Sequence, residues 1–183
     1  MRVITGQAKG RRLKAPKGMN TRPTSDRTKE SLFNIIGDKV TKADILDLYA
    51  GTGALGIEAL SRGADRAVFV EKDPSVVRII MENLELTGFS GQAEVICRGA
   101  DDAVGYFAAH AKNFDIIFLD PPYMRNMLQK TLETLAKYEI VAPGGWVITE
   151  SSKLDLLPDK FGKLNKIRQE KYGDTVLSFY QEM

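Results

Sequence analysis

Ile45-Leu46-Asp47-Leu48-Tyr49-Ala50-Gly51-Thr52-Gly53-Ala54-Leu55-Gly56 is a short apolar run that breaks into a glycine turn, after which Ile57-Glu58-Ala59-Leu60 read as the start of a helix. Strand, glycine turn and helix in that order aim main-chain N–H groups and a helix N-terminus at a bound nucleotide, and the glycines let the ligand approach the backbone. The acid expected about twenty residues later is present as Glu71, at the end of Ala67-Val68-Phe69-Val70-Glu71-Lys72-Asp73. A carboxylate there can accept from both hydroxyls of a ribose. A purely structural glycine turn has the same spacing, but strands at both expected places and an acid at the tip favour a nucleotide-type cofactor.

Asp47 decides which one. It stands inside the strand, before the turn, where a buried negative charge would oppose a phosphate. A cofactor with a cationic amino group gains from it, and S-adenosylmethionine carries an amino-acid end, a sulfonium and a ribose without a phosphate. A second segment fits the same cofactor. Phe114-Asp115-Ile116-Ile117-Phe118-Leu119 runs into Asp120-Pro121-Pro122-Tyr123, a buried strand that stops abruptly, because proline neither donates to a ladder nor continues a central strand. The result is a ledge with a carboxylate, free carbonyls and an aromatic ring. It suits a planar group carrying an NH2, which would donate to Asp120 and a proline carbonyl while Tyr123 covers the ring face.

Asp47-Leu48-Tyr49-Ala50-Gly51-Thr52-Gly53, Glu71 and Asp120-Pro121-Pro122-Tyr123 resemble the class I S-adenosylmethionine-dependent methyltransferases that act on exocyclic amines. With Thr21-Arg22-Pro23-Thr24-Ser25-Asp26-Arg27 and Glu30-Ser31-Leu32-Phe33-Asn34 added, the chain is similar, over nearly its whole length, to the bacterial family that methylates N2 of a guanine in 16S ribosomal RNA. The resemblance implies guanine-966 as the target. It implies that Asp47, Gly51 and Gly53, with Tyr49, line the methionine end of the cofactor and that Glu71 and its neighbour Lys72 meet the ribose. Arg22 and Arg27, in the N-terminal motif, would reach the cofactor's carboxylate, Thr24 of the same motif would also contact the cofactor, and Asp120 to Tyr123 would hold the target amine. One stretch departs from the family. Where members carry an acid for the adenine amine, this chain has Cys97-Arg98-Gly99-Ala100-Asp101-Asp102, and Ala100 with Asp101, rather than Asp102, is assigned that contact.

The charge distribution points to the same substrate. Residues 1–30 hold nine basic and two acidic side chains, a net of +7, which leaves −5 on the rest of a chain whose formal charge is +2. A basic N-terminal segment ahead of an acidic body fits a polyanion touched at one end. Lys9, Arg11, Arg12 and Lys14 are the candidate RNA contacts, and Val3-Ile4-Thr5 and Arg12-Leu13-Lys14-Ala15 alternate around Gly6 to Gly10 as a small hairpin would. A solvated tail of the same composition is the plainer alternative.

Other classes lose support. A single cysteine, Cys97, cannot close an internal disulfide, which suits a reducing cytoplasm. It reads as a small packing residue near a strand end. His110 is the only histidine, so no metal site of the usual His/Cys kind can be assembled, and nothing near it resembles a nucleophile motif. It reads as a solvated helix-end residue. No apolar stretch approaches ~18 residues and no signal-peptide pattern opens the chain, so neither a membrane span nor export is expected.

Apolar stripes at Leu32, Phe33 and Ile36, at Val76, Ile80 and Leu84, and at Met127, Leu128, Leu132 and Leu135 predict helices; Ala93 to Ile96 and Gly144 to Glu150 predict strands, with Trp146 buried. Leu164 to Tyr172 and Thr175 to Tyr180, joined at Gly173-Asp174, predict a hairpin. The fold class is α/β: a Rossmann-like, doubly wound, mostly parallel seven-stranded sheet, with an antiparallel C-terminal strand implied by the resemblance, plus a short N-terminal basic hairpin. Residues 1–183 make one domain, with 1–22 a basic RNA-binding arm and 23–183 the catalytic body. The expected partner is ribosomal RNA or a part-assembled small ribosomal subunit, met in the cytoplasm by a monomer rather than an obligate oligomer. Three rivals remain: an adenine-N6 methyltransferase on DNA or RNA, a nicotinamide-dependent oxidoreductase, and a non-catalytic RNA-binding assembly factor.

Overall fold

A computed structural model describes residues 1–16, 26–122 and 126–183. Its centre is β1 (Asp44–Asp47), which pairs in parallel with β2 (Arg66–Glu71) on one side and β4 (Phe114–Leu119) on the other. Outside these lie β3 (Ala93–Cys97) against β2 and β5 (Val141–Ser152) against β4, both parallel. The chain therefore winds outward first one way and then the other. That reversal opens a crevice beyond the carboxyl ends of β1 and β4, where sheets of this kind bind ligands.

Helices α1 (Asp26–Ile36), α2 (Ala54–Ser61), α3 (Pro74–Thr87), α4 (Ala100–Ala109) and α5 (Met127–Lys137) cover the sheet. Strands buried on both faces read as near-continuous apolar runs, and Ile45, Leu46, Phe69, Val70, Ile117 and Phe118 are all sealed from solvent. Local chemistry fixes the helix ends. The Asp73 carboxylate accepts from the Ser75 N–H at 2.8 Å with Pro74 at the first helical position, and Gly88 closes α3 in the left-handed conformation.

The C-terminal hairpin is as expected: β7 (Leu164–Tyr172) and β8 (Thr175–Glu182) turn at Gly173, with β8 antiparallel to both β5 and β7. The sheet has eight strands rather than seven. The extra one, β6 (Lys160–Phe161), pairs antiparallel with Leu164 and Asn165 at the edge, and two residues are too short for periodicity to reveal.

The N-terminal residues form the small hairpin, with Val3 N–H donating to the Arg11 carbonyl and Gly10 N–H to that of Val3, both at 2.9 Å. It is not a loose tail. Val3, Ala8 and Leu13 are buried in the same cluster as Leu32, Ile57 and Leu60. Its backbone lies directly on the end of α2: a Cβ on Gly6, at φ +86°, would fall 1.7 Å from the Ser61 carbonyl oxygen.

Two side chains are less buried than expected. Cys97 is exposed at the open edge of the sheet, its thiol donating to the Lys72 carbonyl at 3.7 Å, because β3 has no strand beyond it to pack against. Trp146 is half-buried, set edge-on to Phe179 with the Lys39 ammonium 5.0 Å above its ring. His110 caps the end of α4 in solvent, as expected. Among the described residues no helix is long and apolar enough to cross a membrane.

Candidate active site at the sheet's carboxyl edge

Leu48 and Ala50 extend the ladder beyond β1, donating to the Phe118 and Val70 carbonyls, before Gly53 N–H turns back to Ala50 at 2.7 Å. Gly51 and Gly53 take φ of +52° and +79°, which a side chain would strain. The third glycine of the spacing has another task. A Cβ on Gly56 would stand 2.3 Å from the Phe69 ring, so this glycine brings α2 down onto β2 rather than admitting a ligand.

Asp47 is sealed inside the sheet, 1% exposed, and its carboxylate accepts from the Gly56 N–H at 3.2 Å. Burial pushes it up to about 7, with the negative charge of Glu71 adding to the rise and the Gly56 N–H opposing it. Glu71, at the tip of β2, accepts from Gly51 N–H at 3.2 Å and from Asp73 N–H at 3.0 Å. It thus joins the glycine turn to the loop after β2 and keeps lone pairs for a further donor. Lys72 is exposed beside it.

On the far wall the Tyr49 hydroxyl lies 2.7 Å from that of Thr131 on α5. Burial raises the Tyr49 pKa, keeping the phenol neutral. Thr131 in turn donates to Asp101 at 3.3 Å, and the Lys130 ammonium stands 2.7 Å from the same carboxylate. Asp101 is therefore already engaged with α5, while Ala100 opens α4 beside it and Asp102 folds back toward Gly99. Asp120 and Pro121, partly and fully buried, and the exposed Pro122 follow directly on the end of β4, the strand next to β1. Asp47, Tyr49, Gly51, Gly53, Glu71, Ala100 and Asp120 thus gather along one edge. Arg22, Thr24 and Tyr123 lie outside the described residues.

Lys9, Arg11, Arg12 and Lys14 are all exposed on the hairpin. Lys14 is partly neutralised by Glu82 at 2.7 Å. The hairpin also reaches the cofactor turn: the Asn83 side chain accepts from Lys14 N–H at 2.7 Å and donates to the Lys14 and Thr52 carbonyls at 3.0 and 2.9 Å. Sequence patterns missed this anchorage. A second anchor is Glu58, wholly buried on α2, which accepts from Ile4 N–H, Thr5 N–H, Lys29 and Arg62. Only the Glu58-to-Arg62 spacing of four residues could have hinted at it.

Known proteins share this sequence and fold over the whole chain. The Bacillus subtilis (strain 168) protein YlbH is 40% identical over 182 residues, covering 100% of this chain and 99% of that one. "Ribosomal RNA small subunit methyltransferase D" of Escherichia coli (strain K12) is 34% identical over 181 residues, 99% of this chain and 89% of its own length. The structure of the Escherichia coli protein yhhF, 34% identical, superposes with a TM-score of 0.85 over 100% of this chain and 97% of that one. The sequence pattern of one family spans residues 1–181, and the chain belongs to that family, described as Conserved hypothetical protein 95.

Proposed function

We propose that this chain transfers the methyl group of S-adenosylmethionine to the exocyclic N2 amine of a guanine in small-subunit ribosomal RNA, guanine-966 by resemblance. The observation that carries the proposal is the placement of Asp120-Pro121-Pro122 directly after β4, the strand paired with the one that bears Asp47. Among relatives, support comes from the Escherichia coli ribosomal RNA small subunit methyltransferase D, 34% identical over 181 residues.

The residues fit the cofactor. A buried carboxylate with a pKa near 7 is a ready partner for an ammonium, which would return it to the ionised form. Glu71 has lone pairs left for ribose hydroxyls, and the half-buried Tyr49 closes the wall beside the cofactor turn. Ala100, Asp101 and Lys72 are proposed for the adenine and outer ribose, with Arg22 and Arg27 proposed for the carboxylate and Thr24 for a further cofactor contact.

S-adenosylmethionine supplies an electrophilic methyl group on a sulfonium. The chain's residues must present the nucleophile and exclude water. Asp120 and the Pro121 carbonyl would accept the two N2 hydrogens, turning the amine so that its lone pair forms the new N–C bond as the C–S bond breaks. The surplus proton leaves through Asp120 to solvent. A base stacked in a helix cannot reach this edge, so the target is unpaired or flipped out. The exposed hairpin cations would hold the flanking phosphates, with ribosomal RNA or a part-assembled subunit as partner and a cytoplasmic monomer as the enzyme. A nicotinamide enzyme would leave the proline ledge without a task.

Asp120→Asn tests the proposal: the single-turnover methylation rate at saturating RNA and cofactor should fall by ~100-fold while both still bind. A wild-type rate would leave Asp120 as a strand end and remove the chemical basis of the proposal.

A further inference from the structure

Three sets of contacts lay the basic hairpin along α2. At the hairpin's tip the hydroxyl of Ser61, the last residue of α2, accepts from Ala8 N–H at 3.0 Å and donates to the Thr5 carbonyl at 2.6 Å. Nearer the middle of the helix, Glu58 accepts from Ile4 N–H at 2.8 Å and from Thr5 N–H at 3.0 Å. At the open end Lys14 meets Asn83 of α3 and, through it, Thr52 of the cofactor turn from which α2 departs. A helix of eight residues is about 12 Å long, so the hairpin leads away from the cofactor turn over about that distance. Its cations are strung along the way: Lys14 at the turn, Arg12 in the bridge to Arg2, and Lys9 and Arg11 in the bends toward the tip.

Asn83 is the joint between the two. It is wholly buried, its amide oxygen accepts from Lys14 N–H at 2.7 Å, and its amide nitrogen donates to the Lys14 and Thr52 carbonyls at 3.0 and 2.9 Å. Among short side chains only an amide combines two N–H donors with a carbonyl acceptor. A carboxylate in its place would repel both carbonyls, and an apolar side chain would take this partner from three main-chain groups. Thr52 lies between Gly51 and Gly53, both in the left-handed conformation, a stretch that draws little stiffness from its own side chains. The same segment of α3 grips Lys14 a second time, because Glu82 stands 2.7 Å from its ammonium.

We infer that Asn83 is a positioning residue that fixes the distance between the phosphates held by the hairpin and the methyl donor, and thereby decides which guanine of the RNA is modified. The inference rests on the function proposed above and names how that site chooses its nucleotide. Asp120 and the Pro121 carbonyl would touch an amine that every guanine carries, so the ledge by itself does not tell one guanine from the next. Phosphate contacts set register without reading sequence. With the hairpin cations joined to the cofactor turn, a base carried in at one distance from the gripped phosphates meets the methyl group, and a base one nucleotide nearer or farther does not. A misplacement of ~1 Å between reacting groups costs about 100-fold in rate, enough to select.

The test uses unmodified small-subunit ribosomal RNA, free and in part-assembled subunits, with methylated nucleotides mapped by mass spectrometry. The wild-type chain should modify one guanine. Asn83→Ala leaves every cation in place, so RNA affinity and its salt slope should be unchanged. Its single-turnover rate at saturating RNA and cofactor should nevertheless fall by at least about tenfold, and methylation should spread to neighbouring guanines. A residue that served stability alone would give a variant that unfolds more readily yet modifies the same guanine at the wild-type rate, and that result overturns the inference. The second arm needs no variant. One nucleotide inserted between the target guanine and the segment that the hairpin protects in footprinting should lower methylation of that guanine by the wild-type chain by at least about tenfold. Unchanged methylation of the displaced guanine overturns the inference even where Asn83→Ala does not fold. Methylation of no RNA by the wild-type chain overturns the function proposed above instead.

Discussion

The Lys29 ammonium lies 3.1 Å from the Glu58 carboxylate, and both side chains are shut away from solvent. Lys29 comes from α1 and Glu58 from α2, so the pair clamps the N-terminal helix to the one that opens at the cofactor turn. Burial lowers the Lys29 pKa, and the Glu58 charge works against that shift. Removing one partner strands the other charge. Lys29→Met should therefore destabilise the fold by about 3–5 kcal/mol, and the double change with Glu58→Gln by less than the two singles added together. Urea denaturation of the three variants checks this.

Asp47 predicts an unusual dependence on pH. Its folded value of about 7 is above its ordinary 3.8, so the folded chain without cofactor binds more protons than the unfolded chain between those values, and this contribution to stability is lost as pH rises through that window. Asp47→Asn should make the cofactor-free protein more stable at pH 8, by up to about 4 kcal/mol. Cofactor affinity should run the other way: full above pH 7, and falling toward tenfold per unit below it as Asp47 takes up its proton. Calorimetry in buffers of different ionisation enthalpy should detect proton release on binding, absent from Asp47→Asn.

Glu71 holds two main-chain N–H groups and is proposed to receive ribose hydroxyls as well. Glu71→Ala should weaken S-adenosylmethionine binding by about 1.5–3 kcal/mol for each charge-assisted bond lost. Unaltered affinity by calorimetry would reassign the ribose.

Neutralising Lys9, Arg11 and Arg12 should flatten the salt dependence of RNA binding by roughly 0.7–0.9 log units per contact removed, without altering cofactor affinity. Lys14 should contribute less than the others, because Glu82 already opposes its charge. Filter binding across a salt series separates the four positions.

Much of this fold is written in local pattern. The strand that ends at Asp47, the helix begun by Asp73-Pro74 and the turn at Gly173 each follow from neighbours in the chain. The glycine spacing was legible too, although Gly56 serves Phe69 and not a ligand. What stayed hidden depends on partners distant in sequence. Nothing near Asn83 announces that it holds Lys14 and Thr52, and nothing near Asp101 announces Lys130. Cys97 looked like packing because its strand is apolar, whereas its exposure follows from being last in the sheet.

The contact of Gly6 with the Ser61 carbonyl, together with the burial of Val3, Ala8 and Leu13, means that the basic hairpin has its final shape before any nucleic acid arrives. Segments that fold upon their partner lose part of the interaction energy to ordering and announce it by a large negative heat-capacity change. Here the cations are mounted on finished architecture, so association is expected to behave as the meeting of two rigid electrostatic surfaces, fast, salt-sensitive and nearly silent in heat capacity on the protein's side.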